Sequence, residues 1–215
     1  MSHLSTSLMI PQGEELANSV SHGIGLLLAI AAIPILVVGA VVRGDPVDVV
    51  GSSVFGASMV ILYLTSTLYH VVPAGKLKER LQRLDHAAIY VLIAGTYTPF
   101  TFGVLGGSWG WTLFGLVWGV AVIGVVTKMV FGVKYDRFST AMYLIMGWLV
   151  LIAVRPLLSA IPPQGFAWLL AGGIFYSMGV MFYVARRLPY GHFVWHVFVL
   201  AGSICHFFAV LWFAA

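Results

Sequence analysis

Charged residues are scarce in this sequence of 215 residues. Lys, Arg, Asp and Glu make up 8% of it and hydrophobic residues 60%, whereas about a quarter of a soluble domain is charged. This composition excludes a water-soluble globular domain and favours an integral membrane protein. The positive charges are too few and too scattered to follow a phosphate backbone, so we expect no nucleic acid partner.

Cysteine is nearly absent as well. Cys205 is the single cysteine and lies in an apolar stretch, so the chain contains neither an internal disulfide nor a dithiol redox motif. Residues 1–17 contain no Lys or Arg. Because a signal peptide begins with positive charges, we expect no cleaved signal peptide.

Long uncharged stretches are what the sequence does contain, and a helix that crosses the hydrocarbon core needs about 20 apolar residues. Five of the six stretches predict one span each. The stretch 86–127 predicts two, because a single helix of that length would be roughly 63 Å long and because it contains the turn-like Gly106-Gly107-Ser108. We therefore predict an all-α integral membrane protein whose residues 1–215 form a single domain, a bundle of seven transmembrane helices. The stretches are 16–42, 49–75, 86–127, 138–154, 156–185 and 188–215.

The distribution of Lys and Arg predicts the orientation of the bundle. Arg43 and Arg155 follow spans one and five, whereas the loops after spans two, four and six contain the other nine of the eleven cations. Because positively charged loops stay in the cytoplasm, we expect a cytoplasmic N-terminus and an outside C-terminus. The nine cations are Lys76, Lys78, Arg80, Arg83, Lys128, Lys134, Arg137, Arg186 and Arg187.

Histidines gather at the predicted cytoplasmic ends of the spans, where an ionisable group is a functional candidate. His192 and His196 are four residues apart, so both rings lie on one helix face and can share a metal ion. His70 ends span two at a similar depth and is the best candidate for a third ligand. Three histidines with one open position are typical of a catalytic zinc site, so we predict Zn²⁺ as the cofactor.

Two further side chains are predicted to serve this site. Asp85 follows the basic segment and enters span three, where its carboxylate can orient a metal-bound water or accept its proton. Ser66 lies one turn before His70 on the same helix face. An alternative is that these histidines only hydrogen-bond to lipid head groups or backbone carbonyls.

The sequence gives weaker evidence for a metal-binding role of the other histidines. His22 can line the same cavity or have a capping or packing role. His86 points about 100° away from Asp85 and is expected at an interface or behind the ligands. His206 lies roughly 15 Å beyond His196, so we expect it to form an interhelical hydrogen bond instead of joining the site.

Three segments carry a family resemblance. Ser66-Thr-Leu-Tyr-His70, Arg83-Leu-Asp85 and His192-Phe-Val-Trp-His196 resemble the signature elements of the progestin and adipoQ receptor superfamily. The segment from Glu15-Leu-Ala-Asn18 to His22-Gly-Ile-Gly is similar to its prokaryotic branch, the haemolysin III family.

The resemblance carries expectations about fold, site and location. It implies seven helices with the N-terminus inside, in a bacterial inner (plasma) membrane. It also implies that His70, His192 and His196 bind zinc, and that Asp85 and Ser66 hold the zinc water. The same fold occurs in the alkaline ceramidases, in which the zinc chemistry is lipid amide hydrolysis.

These features favour a zinc-dependent membrane hydrolase that acts on a lipid amide or ester through a zinc-activated water at the cytoplasmic side. Its expected partners are membrane lipids or fatty acyl chains. One alternative is a regulator that senses the lipid state of the membrane and in which zinc only clamps helices. A haemolysin or channel is the other alternative, although no polar stripe crosses the predicted spans.

Overall fold

The computed structural model describes residues 11–43, 45–185 and 187–214. Part of the segment used to predict the absence of a signal peptide, residues 1–10, lies outside them, as do Arg186 and Ala215. Of the described residues, 90% are helical and none lies in a strand. Seven helical segments are long and apolar enough to cross a membrane. The predicted all-α bundle of seven membrane-spanning helices is thus confirmed.

In the described residues, eight α-helices form the seven spans, because a 3₁₀ segment divides the fifth span into two α-helices; the third span also contains a non-α segment. A π-helical segment, Phe100–Leu105, extends α3, and a 3₁₀ segment, Leu149–Ala153, joins α5 to α6 within the fifth span. The α-helices are α1 Gln12–Arg43, α2 Pro46–Val71, α3 Lys76–Pro99, α4 Gly107–Phe131, α5 Asp136–Gly147, α6 Val154–Ala160, α7 Pro163–Val184 and α8 Gly191–Phe213.

Several charges lie within helices and not in the loops to which the sequence assigned them. The α1 helix begins at Gln12 and therefore includes Glu14 and Glu15. The basic segment before Asp85 is not a loop but the first turns of α3, which places Asp85 about three turns into that helix. Arg155 lies in α6 and Lys128 in the last turn of α4. The long uncharged stretches reveal where the spans are, but a helix continues past a charge wherever that charge has a partner or reaches water.

Two apolar cores hold the bundle together. Leu36, Phe55 and Tyr63 are fully buried in the first core, which α1, α2 and α8 share with part of α3. Val117 and Met146 belong to the second core, where α4 and α5 pack on α3. The first core brings the end of α2 and the beginning of α8 next to the first turns of α1, and this is where the candidate site lies.

The fifth span changes from α to 3₁₀ geometry at Gly147 and Trp148, beside an internal cavity. The Tyr97 hydroxyl from α3 donates to the Gly147 carbonyl at 2.8 Å and accepts from the Val150 N–H at 2.9 Å. Tyr97 therefore supplies hydrogen bonds at a break where the helical ladder is interrupted. Such breaks are tolerated at membrane depth where protein groups satisfy the backbone.

Candidate metal centre

Three histidines from two helices meet at one end of the bundle. His70 lies in the last turn of α2, and His192 and His196 lie in the first two turns of α8. Each offers one ligand atom, and these atoms lie within 4.8 Å of one another. The distances between ring centroids are 4.7 to 5.1 Å. These three residues can hold a metal ion, and they are the three that the sequence predicts as ligands.

The hydrogen bonds of two of these rings leave one nitrogen free for a ligand role. The Nδ1 of His70 donates to Glu15 Oε2 at 2.5 Å, while its buried Nε2 has no partner among the described residues. The Nδ1 of His196 donates to the Asn18 backbone carbonyl at 3.2 Å. A metal-binding histidine commonly donates its second N–H to a carboxylate or carbonyl in this way. An unpartnered buried nitrogen is costly, and a metal ion would satisfy it.

The α1 helix contributes residues that the sequence prediction did not place at the site. Besides accepting from His70, Glu15 forms a salt bridge with Lys78 at 2.9 Å. Glu14 accepts the backbone N–H of His192 at 3.1 Å. The prediction missed both glutamates because it began span one after them. The signal that could have found them is their spacing to Asn18, since Glu14 and Glu15 share its helix face one turn earlier.

The role of His22, which the sequence left open, is decided by its contacts. Its ring stacks on His196 with a centroid distance of 3.5 Å and an interplanar angle of 5°. Its Nδ1 forms a hydrogen bond of 2.7 Å with the Ser66 hydroxyl, and its buried Nε2 has no partner among the described residues. His22 therefore belongs to the same site, beside the three-histidine cluster.

Asp85 and Ser66 also lie where they can serve the cluster. Both are buried, and both line the cavity that His192 and His196 line. A carboxylate and a hydroxyl thus accompany the imidazoles in one enclosed space.

The remaining two described histidines have structural partners away from the cluster. His206 Nε2 donates to the Leu169 carbonyl at 3.2 Å, the interhelical hydrogen bond that its depth predicts. His86 Nδ1 lies 3.1 Å from the Asp136 carboxylate, which also binds Lys128 at 3.1 Å. His86 therefore joins spans three, four and five, in agreement with the interface role expected of it.

A cavity leads from the cluster into the middle of the bundle. It begins at Asp85 and His196 and reaches Tyr97 and His206. Since His196 and His206 are ten residues apart on one helix, the cavity spans about 15 Å along the bundle. Its wall between these ends is mainly apolar, with Leu62, Ile89, Leu92, Ile93, Leu144 and Val199 among the lining residues. Such a wall suits an acyl chain.

Comparisons with known proteins agree with this arrangement. Residues 12–207 match the family described as haemolysin-III related. The chain is 48% identical over 200 residues to the Hemolysin-3 homolog of Bacillus subtilis, an alignment that covers 93% of this chain and 94% of that one. It is 46% identical over 200 residues to Hemolysin-3 of Bacillus cereus, covering 93% and 91%.

A more distant relative is the human Monocyte to macrophage differentiation factor, 26% identical over 167 residues, with 73% of this chain and 67% of that one covered. The family match includes the three histidines, Asp85, Ser66 and the residues of α1 that contact them. The chain is thus a multi-pass integral membrane protein that belongs to the haemolysin III family, as its signature segments predict.

Proposed function

We propose that this protein is a zinc-dependent membrane hydrolase that cleaves an acyl amide or ester bond of a lipid. The observation that carries the proposal is the three-histidine cluster, which opens, together with a buried carboxyl group, into an apolar cavity. Nitrogen ligands without thiolates suit zinc, and three protein ligands leave a position for chemistry. When bound, zinc supplies a Lewis acid that polarises the acyl carbonyl and makes water a nucleophile at neutral pH.

Asp85 acts as the general base and then as the general acid. Its buried carboxylate lines the cavity beside the histidines, so it accepts a proton from the attacking water as the oxygen–carbon bond forms. It then donates this proton to the leaving nitrogen or oxygen as the acyl bond breaks. The Ser66 hydroxyl, which is hydrogen-bonded to His22 and lines the same cavity, would help to hold the reacting water and to stabilise the oxyanion.

The apolar cavity positions the acyl chain of the substrate. An acyl chain that lies along Leu92 and Val199 towards His206 brings its carbonyl group to the histidine end. Because this wall also excludes water from the chain, the water that reacts is the one held at the polar end. Precise placement of the two reactants removes a large part of the barrier.

The test is product release from a panel of acyl amides and acyl esters in vesicles, measured by mass spectrometry. We expect Asp85→Asn to retain zinc and fold while it slows cleavage by roughly 100-fold or more, the usual scale for loss of a general base. Asp48→Asn is the matched control, because it makes the same change in a buried carboxyl group near the opposite end of α2. It should cleave like the parent protein.

Two results would overturn the proposal. Equal cleavage by the parent, Asp85→Asn and His196→Ala proteins would indicate a contaminating enzyme. No cleavage of any lipid by the zinc-loaded parent would favour the second candidate, a regulator of membrane lipid state. The observation that favours this candidate is that the ligands come from two helices, α2 and α8, which a metal ion would clamp together.

A further inference from the structure

A groove lined by both apolar and charged residues opens at the histidine end of the bundle, between the beginning of α5 and the end of α7. Arg137 and Arg187 line it, and both are exposed. In the part of the chain that the structure describes, neither guanidinium forms a salt bridge or a side-chain hydrogen bond. The other lining residues are Asp136, Thr140, Tyr183, Val184, Ala185 and Leu188.

Asp136 is the carboxylate among the described residues that line the groove, and its negative charge is balanced by neighbouring groups. Asp136 Oδ1 lies 3.1 Å from Lys128 Nζ and 3.1 Å from His86 Nδ1, and its Oδ2 accepts the Tyr183 hydroxyl at 2.7 Å. Lys128 is fully buried. The charge of Asp136 is therefore balanced by groups behind the groove, and the two arginines make the groove itself positive.

The groove adjoins the cavity of the candidate active site. Thr140 and Tyr183 line both spaces, and the Tyr183 ring lies 5.8 Å from the ring of His192. Positive residues at this end of the bundle are expected from topology alone. That rule accounts equally for Lys134, which lines neither space, but it does not explain why two arginines without a salt bridge among the described residues line a groove beside the cavity.

We infer that Arg137 and Arg187 bind the phosphate or carboxylate head group of an anionic amphiphile whose acyl chain lies in the cavity. The inference rests on the proposed function and specifies its substrate class as acyl amides or esters with an anionic head group. Guanidinium groups bind such oxygens through paired, charge-assisted hydrogen bonds. The bond to be cleaved would then lie between the head group at the arginines and the acyl chain beside the histidines.

Binding of a matched pair of probes tests this without any turnover. Full-length protein in a neutral detergent is titrated by calorimetry with dodecyl phosphate, which is anionic, and with dodecylphosphocholine, which has the same chain and a zwitterionic head. We expect the parent to prefer dodecyl phosphate by about ten-fold or more, the scale of a hydrogen bond to a charged group. Arg137→Gln/Arg187→Gln should lose this preference and retain its affinity for the zwitterionic probe.

The controls distinguish binding at a head-group site from non-specific electrostatic attraction. Lys134→Gln removes one positive charge nearby but outside the groove, and it should retain the preference; Arg137→Lys/Arg187→Lys should retain part of it. Inorganic phosphate alone should compete weakly.

The inference is overturned if Lys134→Gln abolishes the preference as strongly as the double variant does, if the double variant retains it, or if inorganic phosphate binds as tightly as dodecyl phosphate. Binding of these probes is measured without turnover, so a failed hydrolase assay does not decide this result.

Discussion

At the scale of single residues, Glu15 is the link through which α1 contacts the metal centre. Its two carboxylate oxygens have different partners, since Oε2 accepts from His70 and Oε1 binds Lys78. The bond to His70 fixes the tautomer of that ring and directs Nε2 towards the other histidines. Lys78 holds the carboxylate in place. Glu15 therefore orients a candidate ligand without being one.

The zinc content of the purified protein tests which residues are ligands and which only orient a ligand. We expect about one zinc ion per purified chain, lost largely in His70→Ala, His192→Ala or His196→Ala. Glu15→Gln should retain the site but bind zinc about 10- to 100-fold more weakly, the usual cost of losing a partner behind a ligand. Elemental analysis and competition with a chelator measure both quantities.

Glu79→Gln is the control for the glutamate change, because Glu79 is exposed on α3 away from the histidines. It should bind zinc like the parent. Full zinc occupancy in a variant lacking both His192 and His196 would show that the metal is bound elsewhere.

At the scale of helices, α2 and α3 carry Ser66, His70 and Asp85, so their contact sets the distance between the candidate base and a candidate ligand. The two helices approach closely at Gly51, where an added Cβ would lie 2.7 Å from Pro99 Cα. Small residues permit such approaches between helices in membranes. The obstacle here is backbone, which cannot rotate out of the way as a side chain can.

Gly51→Ala should therefore destabilise the protein by about 1–3 kcal/mol, the range for overpacking. Gly119→Ala is the matched control, since a Cβ there meets nothing within 4 Å. It should leave stability unchanged or raise it by up to about 1 kcal/mol, because alanine is the better helix former. Thermal unfolding in detergent measures both, and equal melting temperatures would contradict the close approach.

At the scale of the whole molecule, the orientation of the bundle decides which compartment supplies water and substrate to the site. Lys134, Arg137 and Arg187 lie at the same end as the three histidines, whereas Ser108 lies at the other end, where α4 begins. Because positive residues remain in the cytoplasm, we expect the histidine end to face the cytoplasm.

Labelling of single cysteines tests this orientation. In a Cys205→Ala background, Ser108→Cys should react with a membrane-impermeant maleimide in intact cells. Lys134→Cys should react only after the membrane is permeabilised. Both positions are exposed, so failure to label reports the compartment and not burial. The reverse pattern would place the candidate site on the outer face.

The sequence alone was sufficient for the number and type of spans and for the three candidate ligands. Both depend on one-dimensional properties. A run of about 20 uncharged residues identifies a transmembrane span. The spacing of four residues between His192 and His196 places both rings on one helix face. His70 is predicted as the third ligand because successive spans cross the membrane in opposite directions. The end of α2 and the beginning of α8 therefore lie on the same side.

The tertiary structure decided which groups become partners. Nothing local in the sequence indicates that Glu15 contacts His70, that Lys128 is buried against Asp136, or that Arg137 and Arg187 border one groove. These contacts join residues 8 to 55 positions apart, and they depend on where each helix begins and how it is rotated. Helix packing sets both, because a charge enters the bundle only where a partner compensates the cost of burial.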